Sequence, residues 1–163
     1  MLTEGRCCPA LRQACAHGFD FTQPYTARFA RQGNPAMLHI VPCYAAVLAL
    51  LFVVLSIRTI RVRRSLKIAI GDAGNPVMAR AMRVHANFAE YVPFALLLMV
   101  LVELQGAPAW ALHVLGVALL LARLSHAYGV SQAKENYAFR IVGVVTTFAV
   151  LGLCAAALLW LTK

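Results

Sequence analysis

The chain has 163 residues, of which 61% are hydrophobic and 13% charged, with a mean hydropathy of +0.73. Soluble domains are nearer half apolar and a quarter charged, so this balance excludes an ordinary water-soluble fold and gives one membrane-embedded bundle. The net charge is +9; the basic residues stand beside apolar segments, where anionic headgroups and topology account for them, and no nucleic-acid motif accompanies them.

Residues 1–36 contain Gly5, Pro9, Gly18, Pro24, Gly33 and Pro35, scattered arginines and no apolar run. A secretory signal needs such a run, so the expectation is a disordered extension. Met37 stands directly before the first membrane segment, where a shorter chain would begin, and opens the membrane domain expected over 37–163. Cys7, Cys8, Cys15, Cys43 and Cys154 are odd in number and lack zinc-ligand spacing, so no metal site is expected.

The first span is expected from about His39 to Ile57, long enough for a ~30 Å hydrocarbon core. The basic run Arg58, Arg61, Arg63, Arg64 and Lys67 follows, then the turn-rich Gly71-Asp72-Ala73-Gly74. Asn75-Pro76 reads as a helix cap with proline at the first helical position. The second helix is expected from Pro76 to about Leu104, bent at Pro93 and ended by Glu103, Gln105, Gly106 and Pro108. The third runs from about Pro108 to Tyr128, with Gly129 starting its exit. A polar loop, residues 131–136, leads to a fourth helix from about Tyr137 to Leu161. The fold class is therefore all-α, an integral membrane four-helix bundle.

Loops one–two and three–four carry the basic residues, and loop two–three carries neither lysine nor arginine. The positive-inside rule puts the two basic loops in the cytoplasm. Arg6, Arg12, Arg28 and Arg31 run against that orientation, and a start at Met37 removes the conflict.

At ~100° per residue, Arg80, Arg83, Asn87 and Glu90 fall within an arc of roughly 80° on helix two. Ionisable groups in a spanning helix usually face a bundle interior or a wet cavity; the alternative is a collar of snorkelling side chains at the headgroups. His85 points elsewhere and is expected to contact a neighbouring helix or headgroups. Alternating spans bring the start of helix two, the end of helix three and the start of helix four to one face. Arg123, Ser125, His126, Tyr128, Tyr137 and Arg140 sit there. Several guanidiniums select carboxylates or phosphates, while Glu90 holds an amine or orients Arg83. The ligand class is a small zwitterion or dianion, with a lipophilic partner arriving from the bilayer. His39 and His113 are expected at the interface. Gly116, Gly143, Gly152 and Ala156 offer small surfaces for helix packing, and Gly152-x-x-x-Ala156 a protomer contact.

The run Arg80-x-x-Arg83-x-x-x-Asn87-x-x-Glu90-Tyr91-x-Pro93 resembles the second-helix signature of the membrane-associated proteins in eicosanoid and glutathione metabolism, the MAPEG family. Gly71-Asp72-x-Gly74-Asn75 and Arg123-Leu124-Ser125-His126-Ala127-Tyr128-Gly129 resemble its small bacterial inner-membrane members. The resemblance implies a homotrimer that binds glutathione near the cytoplasmic face as co-substrate. It implies glutathione contacts from Arg80, Arg83, Asn87, Glu90 and Tyr91. Arg123 and His126, three residues apart on one face, are read from spacing as further ligand-binding residues, with a helix-end cap as the alternative for His126. Arg140 resembles the arginine that activates the glutathione thiol. His126 and Val130 stand approximately where the eukaryotic synthases carry tyrosines. The activity implied is glutathione-dependent conjugation or peroxide reduction of a lipophilic electrophile. The alternatives are a non-enzymatic scaffold or lipid-binding protein that keeps the fold, and a small transporter.

Overall fold

A computed structural model of the protein describes residues 38–132 and 136–162. The extension expected over 1–36, with Cys7, Cys8 and Cys15, lies outside the described residues, as do Met37 and Lys134. The architecture is all-helical: α1 Val41–Ser65, α2 Pro76–Leu104, α3 Ala109–Ser131 and α4 Tyr137–Leu161. All four are long and apolar enough to cross a membrane. At 1.5 Å per residue even α3, with 23 residues, reaches about 34 Å.

The start of α2 agrees with the sequence reading for a visible reason. The Asn75 side-chain oxygen accepts from the backbone N–H of Val77 at 2.9 Å and Met78 at 3.2 Å, and Pro76 occupies a position whose N–H has no helical partner. The span of α4 matches its expected limits. Two boundaries differ. The helix α1 continues past Ile57 to Ser65, because the end of the apolar stretch is not a helix stop and arginine is a good helix former. It ends at Leu66, before Lys67 takes a positive φ of 54°. The helix α3 continues through Gly129 to Ser131. Gly129 serves packing instead: a Cβ there would lie 2.8 Å from the backbone nitrogen of Arg140, so the missing side chain lets α4 start close against α3.

The helices alternate in direction, as contacts at both ends show. At one end Arg63 reaches the Met82 sulfur at 3.6 Å, Arg58 donates to Ser131, and Gly129 meets Arg140. These join the end of α1, the start of α2, the end of α3 and the start of α4. At the other end Glu103 binds the first turn of α1. Its Oε1 accepts from the N–H of His39 and of Ile40, each at 2.8 Å, and its Oε2 from Val41 at 2.9 Å. Tyr44 meets His113 at this end too, with its hydroxyl 3.0 Å from Nδ1 and donating to the His113 carbonyl at 3.3 Å. Packing is closest between α3 and α4 and between α1 and α2, with α2 also against α3 and α4. Leu48, Val92, Met99, Leu119, Val150 and Cys154 form part of the core. Leu50, Val54, Leu121 and Leu159 face outward, as a bundle solvated by lipid permits.

Gly116 and Gly143 do the close packing expected of them. A Cβ at Gly116 would lie 2.5 Å from the Tyr44 ring, and one at Gly143 would lie 2.7 Å from the Ala122 carbonyl oxygen. Among the described residues nothing lies within 4 Å of the Gly152 Cβ position.

Candidate functional site

Arg123 is a buried cation inside the bundle, at 2% exposure. Its Nη1 donates to Asn87 Oδ1 at 2.8 Å. Its Nη2 donates to the Gly143 carbonyl at 3.1 Å and to Thr147 Oγ1 at 2.5 Å. One guanidinium thereby ties α3 to both α2 and α4. Thr147 also donates back to the Gly143 carbonyl at 2.7 Å, so these two residues form a single acceptor shelf one turn deep. The acceptors are all neutral, and Nε is buried with no hydrogen-bond partner among the described residues. Burying a cation in a bundle is costly unless its donors are satisfied, and two of the three nitrogens are.

The neighbouring candidates gather round this group. Asn87 and Tyr91 are half-buried on α2. Tyr91 packs on Phe148 of α4 with ring centroids 5.5 Å apart, and lies within electrostatic reach of Arg123. His126 is buried and packs against Gly143, whose absent side chain leaves room for it. Both Arg123 and Arg140 act electrostatically on His126. Arg140 is half-buried in the first turn of α4. Asn87, Arg123, His126 and Arg140 are therefore brought together from three helices in one half of the bundle, as expected, and Tyr91 lies near Arg123 at the middle of α2.

The rest of the stripe faces differently. Arg83 and Glu90 are exposed on the surface of α2, and Arg80 is half-buried. Among the described residues neither the Arg83 nor the Glu90 side chain has a hydrogen bond or ion pair. Glu90 lies about 21 Å along α2 from Pro76, near the middle of the span, where an exposed carboxylate is expensive in lipid. An arc of 80° is wide enough for one edge to meet α3 while the other stays outside.

Sequence reasoning placed His85 away from the stripe, and it does contact the neighbouring helix. Its Nε2 is 3.0 Å from Ser56 Oγ of α1, and its ring stacks on Phe52 at 4.7 Å. Beside it lies a cleft of about 590 Å³ between α1 and α2, bordered by Thr59, Arg63, Asp72, Met82 and Arg83. Arg63 is largely committed there, donating to the carbonyls of Ile68, Ala69 and Gly71 at 3.3, 3.2 and 3.1 Å. A second, apolar cleft of about 270 Å³ lies beside Pro93, between Ala45, Phe52, Phe88 and Leu96. The Thr147 and Gly143 acceptors were not visible as polar partners in sequence. The only signal was their four-residue spacing, which stacks them on one face of α4.

Comparison with known proteins agrees with this architecture. Residues 41–160 match the model of the MAPEG family. The chain is 37% identical over 117 residues to "Inner membrane protein YecN" of Escherichia coli strain K12, covering 72% of this chain and 88% of that protein. The same identity and coverage hold for the protein of that name from Escherichia coli O6:H1. A match spanning the four helices, together with the polar signature at their shared end, assigns the chain to the MAPEG family.

Proposed function

We propose that this protein is a membrane-embedded, glutathione-dependent transferase or peroxidase acting on lipophilic electrophiles. The observation that supports it is the convergence of Asn87, Arg123, His126 and Arg140 in one half of the bundle, with Tyr91 near Arg123 and the outward-facing Arg83 and Glu90 on the same helix. Glutathione, as co-substrate, offers two carboxylates, an amine and a thiol. Arg80 and Arg83 hold carboxylates, Glu90 holds the amine, and Asn87 and Tyr91 hydrogen-bond the peptide. A free thiol has a pKa near ~8.5, and a fixed cation beside it favours the thiolate, the reactive form. Arg140 supplies that cation. The apolar cleft beside Pro93 gives a lipophilic partner a route from the bilayer.

In this reading Arg83 and Glu90, exposed on the single chain, are covered by a second copy in a homotrimer, and the site closes between protomers. The basic loops one–two and three–four face the cytoplasm, in an inner membrane. A second reading is a non-enzymatic bundle whose polar cluster ties helices together. It is favoured by one observation: both Nη atoms of Arg123 are spent on internal acceptors.

Titration calorimetry of the detergent-purified protein with glutathione, beside a conjugation assay with a reference electrophile, separates the two. The expected outcome is binding that is lost in Glu90→Ala, and turnover that falls at least about tenfold in Arg140→Ala while binding persists. Absence of binding at millimolar glutathione would favour the scaffold.

A further inference from the structure

We infer that Arg123 is a positioning residue that fixes the Asn87 side-chain amide in one orientation, so that this position of the site takes only a hydrogen-bond acceptor such as a carboxylate or carbonyl oxygen. The inference rests on the glutathione reading and gives Arg123 a role in it other than direct contact.

The argument begins with hydrogen-bond inventory. A guanidinium has donors and no acceptor, whereas an asparagine amide has one of each. Arg123 Nη1 lies 2.8 Å from Asn87 Oδ1. Turning the amide over would set its NH₂ group against a cation and leave a buried donor unpaired, which is costly. Arg123 cannot retreat, because Nη2 is held by Gly143 and Thr147 of α4 and the side chain is 2% exposed. The Asn87 amide is therefore locked oxygen-inward. Its Nδ2, with two protons, is the end left for a partner, and Asn87 itself is only half-buried.

The chemistry of that end follows. An amide whose oxygen is bonded to a cation is a stronger donor at its nitrogen, because hydrogen bonds in a chain polarise one another. The guanidinium charge is thus felt by a ligand that never touches it. An anionic oxygen gains from both effects, and a ligand presenting an N–H or O–H here is rejected. Asn87 alone, free to flip, would accept either.

The experiment is a double-mutant cycle on the full chain in detergent, reading glutathione affinity by calorimetry and the thermal midpoint by fluorescence. Arg123→Met should weaken glutathione binding about tenfold or more, the scale of a charge-assisted hydrogen bond, and Arg123→Lys should restore most of it. In an Asn87→Ala background the same Arg123→Met change should have less than about a twofold further effect, since coupling requires both partners. Asn87→Asp keeps an acceptor for Arg123 and should keep the thermal midpoint, yet lose glutathione. An Arg123→Met effect of equal size in the Asn87→Ala background, or wild-type affinity in Asn87→Asp, overturns the inference.

If wild-type protein does not bind glutathione, the proposed function fails, and the orientation is still read by NMR with asparagine-selective ¹⁵N labelling. The Asn87 Nδ2 resonance, assigned by its loss in Asn87→Ala, should shift in Arg123→Met and return in Arg123→Lys. A resonance that stays put in Arg123→Met overturns the inference without reference to any ligand.

Discussion

Gly143 lets two helices approach more closely than any side chain would allow. A Cβ there would sit 2.7 Å from both the Ala122 carbonyl oxygen and the His126 Cβ. Neither neighbour is the free end of a flexible chain, so Gly143→Ala has to push α4 away from α3. The Gly143 carbonyl also receives Arg123, and the displacement strains that contact too. Overpacking of this kind costs about 1–3 kcal/mol. The expected outcome is a lowered thermal midpoint in detergent, lowered less by Gly152→Ala, whose Cβ meets no atom of the described chain; equal midpoints for the two variants would contradict the packing account. At this scale the sequence disclosed residue types but not partners. The helical arc grouped Arg83 with Asn87, yet one is exposed and the other half-buried. The difference lies in where α3 happens to press on α2, and that contact joins residues 36 positions apart.

Among the elements, α1 and α2 show what local signals do and do not carry. The start of α2 was legible because Asn75 and Pro76 cap it with their own atoms. The start of α1 has no side-chain cap of its own, since Ile40 occupies that position. Its free N–H groups are satisfied by Glu103 from the far end of α2, a partner that no window around residue 40 contains. In sequence Glu103 read only as the end of a helix. A carboxylate holding three N–H groups at a helix N-terminus is favoured by the hydrogen bonds and by the helix dipole. Glu103→Ala should therefore cost about 1–3 kcal/mol. The check is hydrogen exchange: amides of residues 39–41 lose protection while those near Asn75 keep theirs. Loss of protection across the whole bundle would show a global rather than a local role. The overrun of α1 past Ile57 belongs here as well. Hydropathy reports where the lipid ends, and the helix ends where the backbone turns, at Leu66 and Lys67.

For the whole molecule, four spans, their order and their alternation were readable from apolar length and turn chemistry, and the family match over residues 41–160 agrees with them. What lay beyond the sequence is the surface the bundle turns outward, since which face is covered depends on packing. Exposed Glu90 and the open Gly152 surface lie on α2 and α4. In the proposed trimer both are covered, so mass measurement in mild detergent should give three copies, and Gly152→Leu should shift the population toward single chains while leaving helicity intact. A monomer at all concentrations tested would remove the interprotomer site.

The clasp of Glu103 on the start of α1 also orders events in time during biogenesis. The amide groups of His39, Ile40 and Val41 leave the ribosome first, and their acceptor follows 62 to 64 residues later. Until the second crossing is nearly complete, the leading end of the first has only water or headgroups to satisfy it. The earliest unit that can mature is therefore a hairpin of two crossings, and a nascent chain halted before Glu103 should hold its first span loosely at the translocation site.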